Sequence, residues 1–178
     1  MDLLLGILFA ALYGSCMKIA DLLDEHGLKL FKGSKILFGI LWGAFASLAL
    51  FVDPVVANVM LADILGFIVR MRIDYRNHAI ATVMVILTFI MYATFIPSVF
   101  FGFFAFFVLL GAVRDHLDDV LKKTGIVQQF FEYCMYYPIG ALGYALFTNT
   151  WSVFGVISSY IVAYDLVRAW WNKSQQKN

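Results

Sequence analysis

A single all-α integral membrane domain with seven transmembrane helices is the fold that this sequence predicts, and three observations predict it. Of its 178 residues, 62% are hydrophobic and only 14% are charged, whereas a soluble domain usually carries about a quarter charged residues. Eighteen phenylalanines and three prolines favour helices over a barrel, whose strands would alternate polar and apolar side chains. The 13 basic residues gather in four places, 18–35, 70–76, 114–123 and 168–177, with long apolar runs between them. A net charge of +1 offers nucleic acid no handle. No length is left over for a second globular unit, so 1–178 is read as one domain in the lipid bilayer.

The elements follow in order. The opening MDLLLGILFAALYG is apolar but has Asp2 where a signal peptide would carry basic residues, so it is read as the first span, 3–22. A span takes about 17–25 apolar residues, and further runs fall at 34–52, 55–71, 79–96, 98–114, 129–147 and 151–170. The stretch from 79 to 113 is too long for one crossing, and Pro97 divides it because proline cannot continue a helical ladder. Val52-Asp53-Pro54 and Thr148-Asn149-Thr150 supply the other tight turns. The four basic places follow spans one, three, five and seven, and the turns opposite carry no Lys or Arg. By the positive-inside rule the charged side is cytoplasmic, with the N-terminus outside and the C-terminus inside, and the plasma membrane is the expected location. Cys16 and Cys134 lack framework spacing and read as small apolar fillers.

Six of the 12 acidic residues sit in two matched stretches, Asp21-Leu-Leu-Asp-Glu25 and Asp115-His-Leu-Asp-Asp119. Both close an odd-numbered span at the charged side. Positions i, i+3 and i+4 share one helix face, so each stretch is expected to present a compact acidic patch. Crowded carboxylates repel beside a low-dielectric core, and Mg²⁺ would relieve that repulsion while bridging to substrate phosphates. The plain alternative is a pair of solvated helix ends, with His26 and His116 as ordinary surface groups. Gly43-Ala-Phe-Ala-Ser-Leu-Ala-Leu-Phe51 echoes Gly140-Ala-Leu-Gly-Tyr-Ala-Leu-Phe147, each one span after an acidic stretch. The layout is then a 3+1+3 parallel repeat of a kind that transporters also use.

Lys29, Lys32 and Lys35 follow the first acidic stretch, and Lys122 and Lys123 the second; Arg70, Arg72, Tyr75 and Arg76 lie between spans three and four. Cations ringing metal-holding carboxylates make a receptacle for a diphosphate. In this reading Asp21, Asp24, Asp115 and Asp118 hold metal against the diphosphate, and Glu25 and Asp119 assist. Lys29, Arg72, Tyr75, Arg76 and Lys122 take the remaining oxygens.

These residues, and their placement, resemble the UbiA superfamily of intramembrane prenyltransferases. Ala20-Asp-Leu-Leu-Asp-Glu-His-Gly followed by Lys29 to Gly33 is similar to that family's first aspartate-rich motif and its basic tail. Arg114-Asp-His-Leu-Asp-Asp119 is similar to the second motif, and Arg72-Ile-Asp-Tyr-Arg76 to the basic stretch between them. Ala20 stands where the family has an asparagine, and Leu28 and Lys122 stand at its third acidic positions. The resemblance implies Mg²⁺-dependent transfer of a polyprenyl group from a polyprenyl diphosphate to an acceptor, at a site facing the cytoplasm.

Asp63 falls near the middle of span three, where a carboxylate costs roughly 2.5–3.5 kcal/mol on insertion scales. It keeps a second class open, a small transporter or channel for a cation or polar solute, with Asp63 and the acidic stretches along its path.

Overall fold

The computed structural model describes residues 1–117 and 125–176, and among these the chain is all-helical with no strand. Eight helices follow in order: α1 Leu3–Asp24, α2 Ser34–Ala49, α3 Pro54–Val69, α4 Arg76–Tyr92, α5 Pro97–Asp115, α6 Ile126–Glu132, α7 Tyr136–Thr148 and α8 Trp151–Gln175. Three of them, α1, α5 and α8, are long and apolar enough to cross a membrane. The other helices are shorter: α2, α3 and α4 have 16, 16 and 17 residues. Three helices of spanning length, and not seven, are therefore what the described residues contain.

The expected span at 129–147 is broken in two. The Cys134 N–H bonds to the Phe131 carbonyl and the Met135 N–H to the Phe130 carbonyl, the paired reversal that ends a helix when the residue between adopts left-handed φ. Cys134 has φ 50° there, with no glycine to advertise it. The same closure ends α3: Met71 has φ 55°, and the Arg72 N–H returns to the Phe67 carbonyl at 2.9 Å. The break before α5 begins earlier than Pro97, since α4 stops at Tyr92 and the chain runs extended to Ile96. Asn58 satisfies that stretch, donating to the Thr94 carbonyl at 2.8 Å and accepting from the Ile96 N–H at 2.8 Å. Its burial is thus a matter of covering backbone polar groups.

α3 is the central helix. Every residue from Val56 to Ile64 is buried, as expected of a helix that is apolar all round, and α3 touches α4, α5 and α8. Around it α1 packs on α2 and α8, α2 on α4, and α7 on α8. Aromatic rings link these layers: Tyr13 stacks on Trp42 at 5.6 Å and on Tyr160 at 4.8 Å, and Tyr137 stacks on Phe107 at 4.5 Å. Small residues let the backbones meet. A Cβ on Gly39 would lie 2.7 Å from the Asn77 Cα, and one on Gly43 2.7 Å from the Ala81 Cα, so α2 and α4 cross through a Gly-xxx-Gly face.

The outside of the bundle is apolar. Leu8, Leu87, Ile90, Leu109, Leu146 and Leu166 are each more than half exposed, a surface that water would not favour and hydrocarbon would.

Candidate functional site

One end of the bundle gathers the charged groups around a cavity of about 190 Å³. Local structure explains how each arrives. On α1, Met17, Asp21 and Glu25 recur every fourth residue and so present one face to the cavity. The reversal at Met71 turns the chain after α3, placing Arg70 and Arg72 on either side of the left-handed residue. Both meet the last residue of α5: Arg70 donates from Nε and Nη2 to Asp115 at 2.9 and 3.0 Å, and Arg72 Nη2 lies 2.8 Å from Asp115 Oδ1. Arg114 and Tyr164 complete the wall, and Trp42, Ile64 and Phe67 form an apolar floor.

Asp21 is buried and holds three partners, Tyr164, His78 and Lys18, whose Nζ lies 3.7 Å from Oδ2. Tyr164 donates to its Oδ2 at 2.6 Å and receives a hydrogen bond from Lys18 Nζ at 3.2 Å. His78, in the first turn of α4, brings Nε2 to 3.0 Å from Asp21 Oδ1. The two atoms are within ion-pairing distance, although the ring N–H is not aligned for a hydrogen bond.

The residues singled out from the sequence divide. Asp21, Glu25, Arg72 and Asp115 line the cavity, so the ends of α1 and α5 do meet at one place, with the basic stretch between them. Asp24 turns away and pairs with Lys35 of α2 at 2.7 Å. Lys29 lies exposed on the 25–33 loop along a separate groove. Tyr75 and Arg76 are exposed beside the cavity, the Tyr75 ring 6.2 Å from that of His78. Asp118, Asp119 and Lys122 lie outside the described residues. Lys18, His78 and Tyr164 were not singled out from the sequence, although Lys18 precedes Asp21 by one helical turn and His78 opens α4 just after the basic stretch.

The expected Mg²⁺ rested on carboxylates crowding one another without relief. Cationic side chains supply that relief: Lys18 and His78 at Asp21, Lys35 at Asp24, Arg70 and Arg72 at Asp115. No three His, Cys, Asp or Glu side chains form a metal-holding group among the described residues. Asp118 and Asp119, the rest of the expected Mg²⁺ donor set, lie outside the described residues. What the described residues do offer is a row of guanidinium groups and an imidazole above an apolar floor, a combination suited to an anionic head on a greasy tail.

Below that floor, on the central helix, Asp63 is buried and accepts a hydrogen bond from Tyr160 at 3.4 Å. Its Oδ1 meets no hydrogen-bond geometry among the described residues.

No protein-family model, curated protein or solved structure matches this chain.

Proposed function

We propose that the chain is an intramembrane enzyme that binds the diphosphate head of a polyprenyl diphosphate in this cavity and transfers the polyprenyl group to an acceptor. One observation carries the reading: Arg70, Arg72, Arg114 and His78 line a single cavity whose floor is Trp42, Ile64 and Phe67. Guanidinium groups bind phosphate oxygens in pairs and stabilise the charge that the leaving diphosphate gathers. The apolar floor takes the first carbons of the tail. Asp115 draws the Arg70 and Arg72 guanidinium groups to one carboxylate at the cavity.

The membrane arrangement belongs to the same proposal. α1 to α5 and α8 are six crossings, the interrupted pair α6 and α7 is the sixth in chain order, and the chain has its N-terminus outside and its cavity facing the cytoplasm. A helix of 16 residues spans about 24 Å, short of the roughly 30 Å hydrocarbon core, so the turns beyond α2 and α3 complete those crossings. The likeness to the UbiA superfamily supports the substrate class through the Asp21 and Asp115 segments and Arg72. Asp21, Asp24 and Asp115 are engaged by cations, and no step is assigned to Mg²⁺.

The experiment is diphosphate release from purified protein given geranylgeranyl diphosphate and a panel of acceptors, with Mg²⁺ in one arm and a chelator in the other. Acceptor-dependent release that falls in Arg72→Ala is the expected result. Release in neither arm, together with solute uptake by vesicles carrying the protein, would assign the chain to the transporters instead.

A further inference from the structure

The loop between α1 and α2 has a defined shape. Gly27, with φ 74°, closes the end of α1, where the Leu28 N–H returns to the Leu22 carbonyl at 3.0 Å. Gly33, with φ 91°, opens α2, and the Ser34 N–H bonds to the Phe31 carbonyl at 3.1 Å. Between these two left-handed glycines the chain displays Lys29, Leu30, Phe31 and Lys32, all of them exposed. Leu30 is 51% exposed and Phe31 59%, so an apolar pair stands between two cations. Lys35 is paired with Asp24 at 2.7 Å, but Lys29 and Lys32 meet no carboxylate among the described residues. The loop borders a groove of about 370 Å³ that Leu23 and Leu28 also line, and no carboxylate is among its lining residues. The carboxylates that end α1 are engaged elsewhere, Asp24 with Lys35 and Glu25 at the cavity.

We propose that residues 28–35 form a docking surface for a phospholipid of net negative charge in the surrounding bilayer. α1 is long and apolar enough to cross a membrane, and a crossing helix that ends at Asp24 sets this loop at the level of the headgroups. Leu30 and Phe31 enter the boundary between headgroups and acyl chains, where exposed apolar side chains gain burial. Lys29 and Lys32 take the lipid phosphate, and as compact point charges they read its charge and not its shape. The lack of a carboxylate in the groove decides which headgroup fits. Choline or ethanolamine brings a cation against the lysines with no anion to receive it, whereas an uncharged headgroup such as glycerol leaves only attraction to the phosphate. The groove shares no lining residue with the cavity, so this inference is independent of the diphosphate reading, and it gives Lys29 a role other than the one its sequence context implied.

The test uses the full chain in an uncharged detergent. It follows the fluorescence anisotropy of a trace of tail-labelled phosphatidylglycerol, against the same label on phosphatidylcholine. Wild type is expected to bind phosphatidylglycerol more tightly, with a preference that shrinks as salt is added. Lys29→Gln and Lys32→Gln are each expected to weaken phosphatidylglycerol binding roughly fivefold, as for one cation near a charged headgroup. The double variant should bind the two lipids alike. Phe31→Ser should weaken both lipids equally, and Lys173→Gln, near the end of α8, should leave the preference unchanged. All four positions are exposed, and circular dichroism checks that the variants keep their helix content. Equal binding of the two lipids by wild type overturns the proposal. A preference that survives in the double variant overturns it too, by placing the effect on another basic segment. Displacement of the lipid by millimolar inorganic phosphate would also overturn it, since that marks a free-anion site and not a lipid surface.

Discussion

Asp115, the last residue of α5, accepts hydrogen bonds from both Nε and Nη2 of Arg70, which ends α3. The fork ties the two helices together beside the cavity, and Arg72 joins it from beyond the helix end. Removing one partner leaves charge facing an apolar wall. The Arg70 side chain is only 5% exposed, so its loss of partner is felt more than at a surface pair. Asp115→Asn is expected to cost about 2 kcal/mol, read as a lower midpoint of unfolding. A double-mutant cycle with Arg70→Gln is expected to show coupling of at least about 1 kcal/mol; additive effects would show that the fork contributes nothing.

The crossing of α2 and α4 depends on Gly39 and Gly43, whose absent side chains leave room for Asn77 and Ala81. Gly43→Leu forces the helices apart and is expected to cost about 3 kcal/mol. Because His78 follows Asn77 directly, the same change is expected to move the imidazole away from Asp21. Retained stability in Gly43→Leu would mean that the crossing is looser than these distances require.

Asp63 lies on the central helix and accepts a hydrogen bond from Tyr160. Asp63→Asn keeps an acceptor for Tyr160 and removes a charge whose insertion costs roughly 2.5–3.5 kcal/mol, so stability is expected to hold or rise. Asp63→Leu strands the buried Tyr160 hydroxyl and is expected to cost about 2 kcal/mol. Reverse ordering of the two variants would show that the carboxylate is held charged by partners beyond Tyr160.

Helix positions were largely legible in the sequence, because apolar runs and turn residues are local signals. Asp53 and Pro54 mark the start of α3, where the Asp53 side chain accepts from the Val56 N–H at 2.9 Å. The break within 129–147 was not legible: it depends on Cys134 adopting a conformation that usually calls for glycine. Asp21 and Asp115, at the ends of α1 and α5, both line the cavity beside Arg70 and Arg72. Their partners did not follow from the sequence. Which carboxylate receives Lys35 and which receives His78 is set by how α2 and α4 pack on α1, and spacing along one helix says nothing of that. The Gly39-Ile-Leu-Trp-Gly43 spacing carries that information, in the form of a close helix crossing, and it was legible to anyone weighing small residues four apart.

The most direct test of the cavity as a headgroup site compares three ligands on the purified chain at low salt: geranylgeranyl diphosphate, geranylgeraniol and inorganic diphosphate. The readout is the shift in unfolding temperature, repeated with Arg70→Ala and Arg72→Ala and again at high salt. Geranylgeranyl diphosphate is expected to stabilise most, because only it fills both the row of cations and the apolar floor, and the effect should shrink in both variants and with added salt. Equal stabilisation by geranylgeraniol, unchanged in the arginine variants, would contradict the account.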